Sequence, residues 1–225
     1  MSNLRDAIVR MALRRPYLYL LVTLVISIVL MEVLVEIAEH TFIKPALQQL
    51  ELQFIAYVQQ FVTPPLTAEV MLVTASGSST FYLLASALVC CWYLYSRQKD
   101  RLYLYLVCLC GGGILNQVLK RIFERVRPDI FPVIAESGYS FPSGHAMGAI
   151  CFYGILAYFA GLGLRSKPLR WGLMAAAGIY ILLIGLSRVY LGVHYPTDIL
   201  AGYAAGATWL FFLSLIHISE PTRHL

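Results

Sequence analysis

Two histidines stand in short polar blocks at the mouths of long apolar runs. His145 lies in "FPSGHAMGAI", residues 141–150, and His194 lies in "SRVYLGVHYPTD", residues 187–198. An imidazole changes charge near neutral pH, so it can act as a nucleophile or carry a proton. Cations accompany both: Lys120 and Arg127 in "KRIFERVRP", and Arg188 beside Ser187. Lysine supplies a point charge and arginine a planar fork that fits phosphate oxygens. Three such cations around one small volume suit a phosphate dianion and its transition state. Ser143 and Gly144 precede a predicted helix, whose first N–H groups and dipole attract anions, and glycine lets the backbone approach a ligand closely. Pro142 suits the entry to that helix. Asp198 follows His194 by four residues and can accept from the far ring N–H, fixing the tautomer. Pro196 between them predicts a bend, so helical spacing alone does not establish that contact. Lys120 and Arg127 are seven apart and on one helix would share a face. The chemistry these types point to is phosphoryl transfer, in which His194 can attack phosphorus and His145 can protonate the departing oxygen.

The elements that must position them are membrane helices. The chain has 225 residues, of which 59% are hydrophobic and 13% charged, against about 25% charged in soluble domains. Apolar blocks of about 20 residues match a hydrocarbon core about 30 Å thick. Six spans are expected, at 17–37, 73–95, 102–119, 144–163, 171–190 and 198–216, with the first retained rather than cleaved. Together they make one all-α integral membrane six-helix bundle over 1–216. In residues 41–63, Ile43, Leu47, Leu50, Phe54, Val58 and Phe61 recur every three or four positions, with Gln48, Gln49, Glu51, Gln59 and Gln60 mainly between them. That is an additional amphipathic helix, either interfacial or packed over the bundle.

Basic residues set the orientation. Arg5, Arg10, Arg14 and Arg15, then Arg97, Lys99 and Arg101, then Arg165, Lys167 and Arg170 fall on one side, read as cytoplasmic, with the N terminus inside. Lys44, Lys120, Arg121, Arg125, Arg127 and Arg188 fall on the other, against that rule, and an anionic group there accounts for them. The net charge of +5 thus reflects topology and site rather than nucleic acid. Cys90, Cys91, Cys108, Cys110 and Cys151 all lie in apolar runs at spacings that suit neither zinc nor a disulfide framework. No cofactor is implied.

The combination Lys-x6-Arg-Pro, Pro-Ser-Gly-His and Ser-Arg-x5-His-x3-Asp resembles the type 2 phosphatidic acid phosphatase superfamily, over roughly residues 70–215. The resemblance implies a metal-independent lipid phosphatase. Lys120, Arg127 and Arg188 would bind phosphate with help from Ser143 and Gly144. His145 would be the general acid, and His194 would become a phosphohistidine oriented by Asp198. The site would face the exterior of a plasma (inner) membrane, and the partners would be a lipid phosphate substrate and membrane lipids. The expected substrates are undecaprenyl pyrophosphate, phosphatidic acid and phosphatidylglycerol phosphate, with the compact build leaning to the first. A lipid phosphotransferase using the same intermediate and a non-catalytic lipid-phosphate carrier are the alternatives.

Other residues are read more plainly. His40, His217 and His224 are structural. Arg121 and Arg125 contact lipid headgroups or face water, with an extension of the phosphate site as the alternative. Glu32 and Glu36 mark an exposed helix end, with a part in substrate entry as the alternative. "CGGGILN", 110–116, permits close helix packing. "ASGSS", 75–79, is a run of small residues with no assigned role. The closing "LIHISEPTRHL" departs from membrane character; residues 217–225 resemble a translated sequencing-adaptor tail, or else form a short cytoplasmic tail.

Overall fold

The computed structural model describes residues 16–43, 45–129 and 132–219. Arg5, Arg10, Arg14, Arg15, Lys44 and His224 lie outside these residues, as does the side chain of His217. The described chain is helical, with no strand among the described residues. Its elements are α1 (Pro16–Ile43), α2 (Pro45–Gln59), α3 (Pro64–Ala75), α4 (Ser79–Tyr95), α5 (Lys99–Phe123) and α6 (Gly144–Ala149). After one π-type turn (Ile150–Gly154) come α7 (Ile155–Gly163), α8 (Lys167–Tyr190) and α9 (Pro196–Ser219).

Proline opens α1, α2, α3 and α9, where its missing N–H is one the helix leaves unpaired anyway. Ser78 caps α4 by accepting the N–H of Phe81 at 3.1 Å. Four helical segments are long and apolar enough to cross a membrane: Leu21–Phe42, Lys99–Phe123, Gly144–Gly163 and Lys167–Tyr190. A fifth arises if α3 and α4, bent by 50° at residues 76–78, count as one broken span. The sixth expected span, 198–216, coincides with α9, which that count does not include.

The surface is apolar in the way lipid requires. Leu21, Val25, Leu83, Leu88, Ile114, Ile179 and Leu200 are all exposed. Lipid tails are as apolar as leucine, so the helices associate through close packing rather than burial from water. Small residues supply it. A Cβ added at Gly111 would lie 2.2 Å from the Trp209 ring, and one at Gly112 would lie 2.7 Å from Cys151 Sγ. The packing expected of "CGGGILN" is therefore present at these two glycines, whereas Gly113 meets nothing.

α2 divides its side chains between surface and core. Leu50, Phe54 and Phe61 are exposed, while Glu51 and Ile55 are buried, with Leu52 and Val58 half-buried beside Ile55. The apolar side chains of α2 are thus split between the surface and the core, and the Glu51 carboxylate points inward.

Candidate active site

The loop that follows α5 carries the first cations. α5 stops at Phe123, because Glu124 takes a left-handed conformation (φ 47°) that turns the chain away. Lys120 and Arg127 therefore do not share a helix, contrary to the spacing argument. They converge through the loop instead. Lys120 Nζ donates to the carbonyls of Tyr139 and, at 3.4 Å, Ser140. Arg127 donates from Nε to Gly138 O at 3.0 Å and from Nη1 to Val193 O at 2.9 Å. The same Nη1 lies 3.2 Å from His194 Nε2.

The second block opens α6. Ser143 is fully buried and caps the helix, its Oγ accepting the N–H of Ala146 at 3.5 Å. Its own N–H donates to the carbonyl of Asp198 at 2.9 Å, joining the start of α6 to the first turn of α9. Gly202 makes that approach possible: a Cβ there would lie 2.7 Å from Ser143 O and 2.9 Å from Ala146 Cβ. Asn116, buried on α5, donates to Pro142 O at 3.3 Å and so holds the loop from the other side. His145 follows, half-buried, with Gly77 against it. A Cβ at Gly77 would stand 3.1 Å from His145 Cδ2 and 2.5 Å from Ile184 Cγ2. Within the 75–79 run, Gly77 thus clears space for the imidazole.

The third block closes the site. His194 and Asp198 are 1% and 0% exposed. Asp198 Oδ2 lies 3.2 Å from His194 Nδ1 and also accepts the N–H of Tyr195 at 2.9 Å and the hydroxyl of Ser140. The contact that Pro196 left open therefore forms, because α9 begins at Pro196 and brings Asp198 back toward the loop. A carboxylate only accepts, so Nδ1 carries the proton and the Nε2 lone pair faces Arg127. Burial pushes the His194 pKa down to about 3; the Asp198 hydrogen bond opposes this, and the Arg127 and Arg188 charges reinforce it. The ring is neutral at pH 7, the state a nitrogen nucleophile needs.

Arg188 is 2% exposed at the end of α8. Its Nη1 donates to Thr74 Oγ1 at 2.7 Å, and its Nε is buried with no partner among the described residues. The Glu136 carboxylate bridges the gap, pairing with Arg188 Nη2 and lying 3.8 Å from Arg127 Nη2. An anion of this chain therefore sits between two of the cations that the sequence assigns to phosphate.

The structure thus brings together Lys120, Arg127, Ser143, Gly144, Arg188, His194 and Asp198 through contacts linking the three blocks, and sets His145 next to Gly144 in the first turn of α6, against Gly77. Arg125 corrects an expectation. It does not face lipid or water: it is 8% exposed and donates to Asp198 Oδ1 at 2.6 Å and to Glu51 Oε2 at 2.6 Å. Arg121 is exposed, as expected. Glu32 and Glu36 are exposed too, with His40 3.7 Å from Glu36. Glu51, Ser140, Glu136, Thr74 and Asn116 were not singled out for the site. Each is one polar residue without a motif, and only the fold reveals its partner. Among the described residues, no group of three or more His, Cys, Asp or Glu side chains is arranged to hold a metal ion.

Comparison with known proteins follows the same lines. The PAP2 superfamily profile matches residues 101–220. Phosphatidylglycerophosphatase B of Bacillus subtilis is 41% identical over 155 residues, 68% of this chain and 75% of that protein. An undecaprenyl-diphosphatase of Sulfolobus acidocaldarius is 34% identical over 125 residues, 54% of this chain and 55% of that protein. The crystal structure of a transmembrane PAP2-type phosphatidylglycerolphosphate phosphatase from Bacillus subtilis superposes with a TM-score of 0.82 at 30% identity, covering 88% of this chain and 98% of that one.

Proposed function

The chain belongs to the PAP2 superfamily, and on that premise we propose that it is a lipid phosphate phosphatase acting through a phosphohistidine at the outer membrane face. The observation that carries the reading is the state of His194. Its Nδ1 proton is committed to Asp198, and its Nε2 lone pair is aimed among Arg127 and its neighbouring cations.

In the first step Nε2 attacks phosphorus, the bond to the lipid oxygen breaks, and His145 gives that oxygen a proton. Positive charge develops on the imidazole, and Asp198 stabilises it across Nδ1. Lys120, Arg127 and Arg188 hold the equatorial oxygens, with the unpartnered Nε of Arg188 free to join. Ser143 and Gly144 assist from the start of α6, chiefly through the backbone, because the serine hydroxyl already caps the helix. In the second step His145 takes a proton from water, the water oxygen bonds to phosphorus, and the phosphorus–nitrogen bond breaks. Neither step calls for a metal.

The substrates proposed are phosphatidylglycerol phosphate first, then undecaprenyl pyrophosphate and phosphatidic acid. The first is favoured because a relative 41% identical over 68% of this chain is named for it. The tails stay in the bilayer while the phosphate enters the basic pocket. The proposed topology is six crossings in one domain over 1–216, with α3–α4 as one broken span and α9 as the last. α2 lies at the interface with Leu50, Phe54 and Phe61 toward lipid. The basic turns at 97–101 and 165–170 put those ends in the cytoplasm and the site outside.

The test is phosphate release in detergent with chelator present, offering the three lipids side by side. Release that falls on the order of 10⁴-fold or more in His194→Ala is the expected result. Folded wild-type protein that releases nothing from any of them would overturn the reading.

A further inference from the structure

We propose that Arg125 and Glu51 are a positioning pair for the nucleophile, holding Asp198 in the orientation that aims His194. The inference rests on the phosphohistidine reading above and extends it to two residues outside the three blocks.

The geometry is a chain of charges running inward from α2. Glu51 is 4% exposed and offers both carboxylate oxygens: Oε2 to Arg125 Nη2 at 2.6 Å, and Oε1 to the N–H of Thr197 at 2.9 Å and its hydroxyl. Arg125 reaches the other way with Nη1, to Asp198 Oδ1 at 2.6 Å and Thr197 Oγ1 at 2.8 Å. Its guanidinium stacks on Tyr195, 3.7 Å from the ring centroid. Its backbone carbonyl accepts the N–H of Ser140 at 2.7 Å, and the Ser140 hydroxyl donates to Asp198 Oδ2. Asp198 is thus gripped at each oxygen. Arg125 takes Oδ1, leaving Oδ2 for Ser140, Tyr195 and His194.

Arg125 touches the side of Asp198 away from the ring, so it acts through the carboxylate rather than on phosphate. A buried guanidinium that met one carboxylate with half of its fork would leave the other half unpaired, at a cost. Glu51 fills that half and keeps the fork planar between Asp198 and α2. Two consequences follow. The direction of the Asp198 carboxylate depends on where α2 sits. The cation beside Oδ1 also draws charge away from Oδ2, which moderates the pull of Asp198 on the imidazole proton.

The experiment compares wild type, Glu51→Gln, Arg125→Lys and Arg125→Gln in detergent, each checked for monodisperse folded protein. It reads kcat, KM and the pH profile with a lipid phosphate substrate. Glu51→Gln keeps shape and two acceptor contacts. Arg125→Lys keeps the charge but cannot span both carboxylates. These two keep the test open if Arg125→Gln does not fold. The expected result is a fall in kcat of about 10-fold for Glu51→Gln and about 10²-fold for the Arg125 variants, the order a misplaced catalytic group costs, with KM little changed.

Arg125→Gln should also shift the acidic limb of kcat/KM to higher pH, because Asp198 then holds the His194 proton more strongly. The other charged groups acting on His194, Asp198, Arg127 and Arg188, are unaltered in that variant. Folded Glu51→Gln and Arg125→Lys with wild-type kcat would overturn the pair alone, and so would a KM that rises while kcat holds, which marks a substrate contact. Wild type that releases no phosphate would overturn the parent reading with it.

Discussion

Replacing Gly77 with alanine tests whether His145 is held by shape. Gly77 sits in the break between α3 and α4, and a methyl there would meet Ile184 Cγ2 at 2.5 Å and His145 Cδ2 at 3.1 Å. Carbon pairs prefer about 3.5–4.0 Å, so Ile184 must retreat by about 1 Å and the imidazole by a few tenths. Ile184 is 0% exposed and has little room to do so. Overpacking of this kind costs about 1–3 kcal/mol. Alanine returns about 0.4–1 kcal/mol by restricting the unfolded chain, which leaves a net loss of up to about 2.5 kcal/mol. Folding should survive, but proton delivery should not. A displacement of this size at a reacting group costs on the order of 10–10²-fold in kcat. The assay compares a phospholipid monoester, whose alkoxide must be protonated as it leaves, with an aryl phosphate, whose phenolate leaves unaided. Gly77→Ala should slow the first much more than the second. Equal losses on both substrates would refute the link between Gly77 and the general acid, as would full activity in a variant with lowered thermal stability.

Three further outcomes are expected. His194 must be neutral to attack, and its pKa lies near 3, below the ordinary 6.5. Activity is therefore lost only as pH falls through that lower value, and an acidic limb of kcat/KM at pH 6.5 controlled by His194 would contradict the burial argument. Glu136→Gln removes a carboxylate from between Arg127 and Arg188. Inorganic phosphate should then inhibit roughly tenfold more strongly, the order of one partly screened charge pair, and an unchanged inhibition constant would count against phosphate binding there. Asn116→Leu strands the carbonyl of Pro142 and should lower stability by about 1–3 kcal/mol, read as the midpoint of thermal unfolding in detergent.

The parts of the site that were legible in sequence were those written as motifs. His145, His194, Asp198 and the three cations stand in recognisable spacings, and the apolar blocks announced the helices that carry them. Spacing misled where it assumed a helix: Lys120 and Arg127 share no helix, because Glu124 turns the chain by a left-handed residue that composition does not signal. Arg125 looked like one more basic residue at a membrane edge. Its burial depends on Glu51, which arrives from 74 residues away on a helix that exposes glutamines and apolar residues alike. Periodicity records where the apolar residues of α2 fall. In a bilayer it does not say which face meets protein, since lipid and core reward the same side chains. Glu136 was invisible for a related reason: an isolated acid in a loop carries no pattern until the loop folds over the cations.

The bond from the N–H of Ser143 to the carbonyl of Asp198, seated by Gly202, bears on how such a site can diversify. The segment bearing His145 and the segment bearing His194 are joined through main chain, and no side-chain replacement deletes a main-chain donor other than a change to proline. The spacing between the two histidines is thus insulated from most sequence drift. Surfaces that meet lipid tails and headgroups can be rewritten without resetting the reacting geometry, provided the glycine stays. A substitution on the lipid-facing rim therefore leaves the relative placement of His145 and His194 to the backbone.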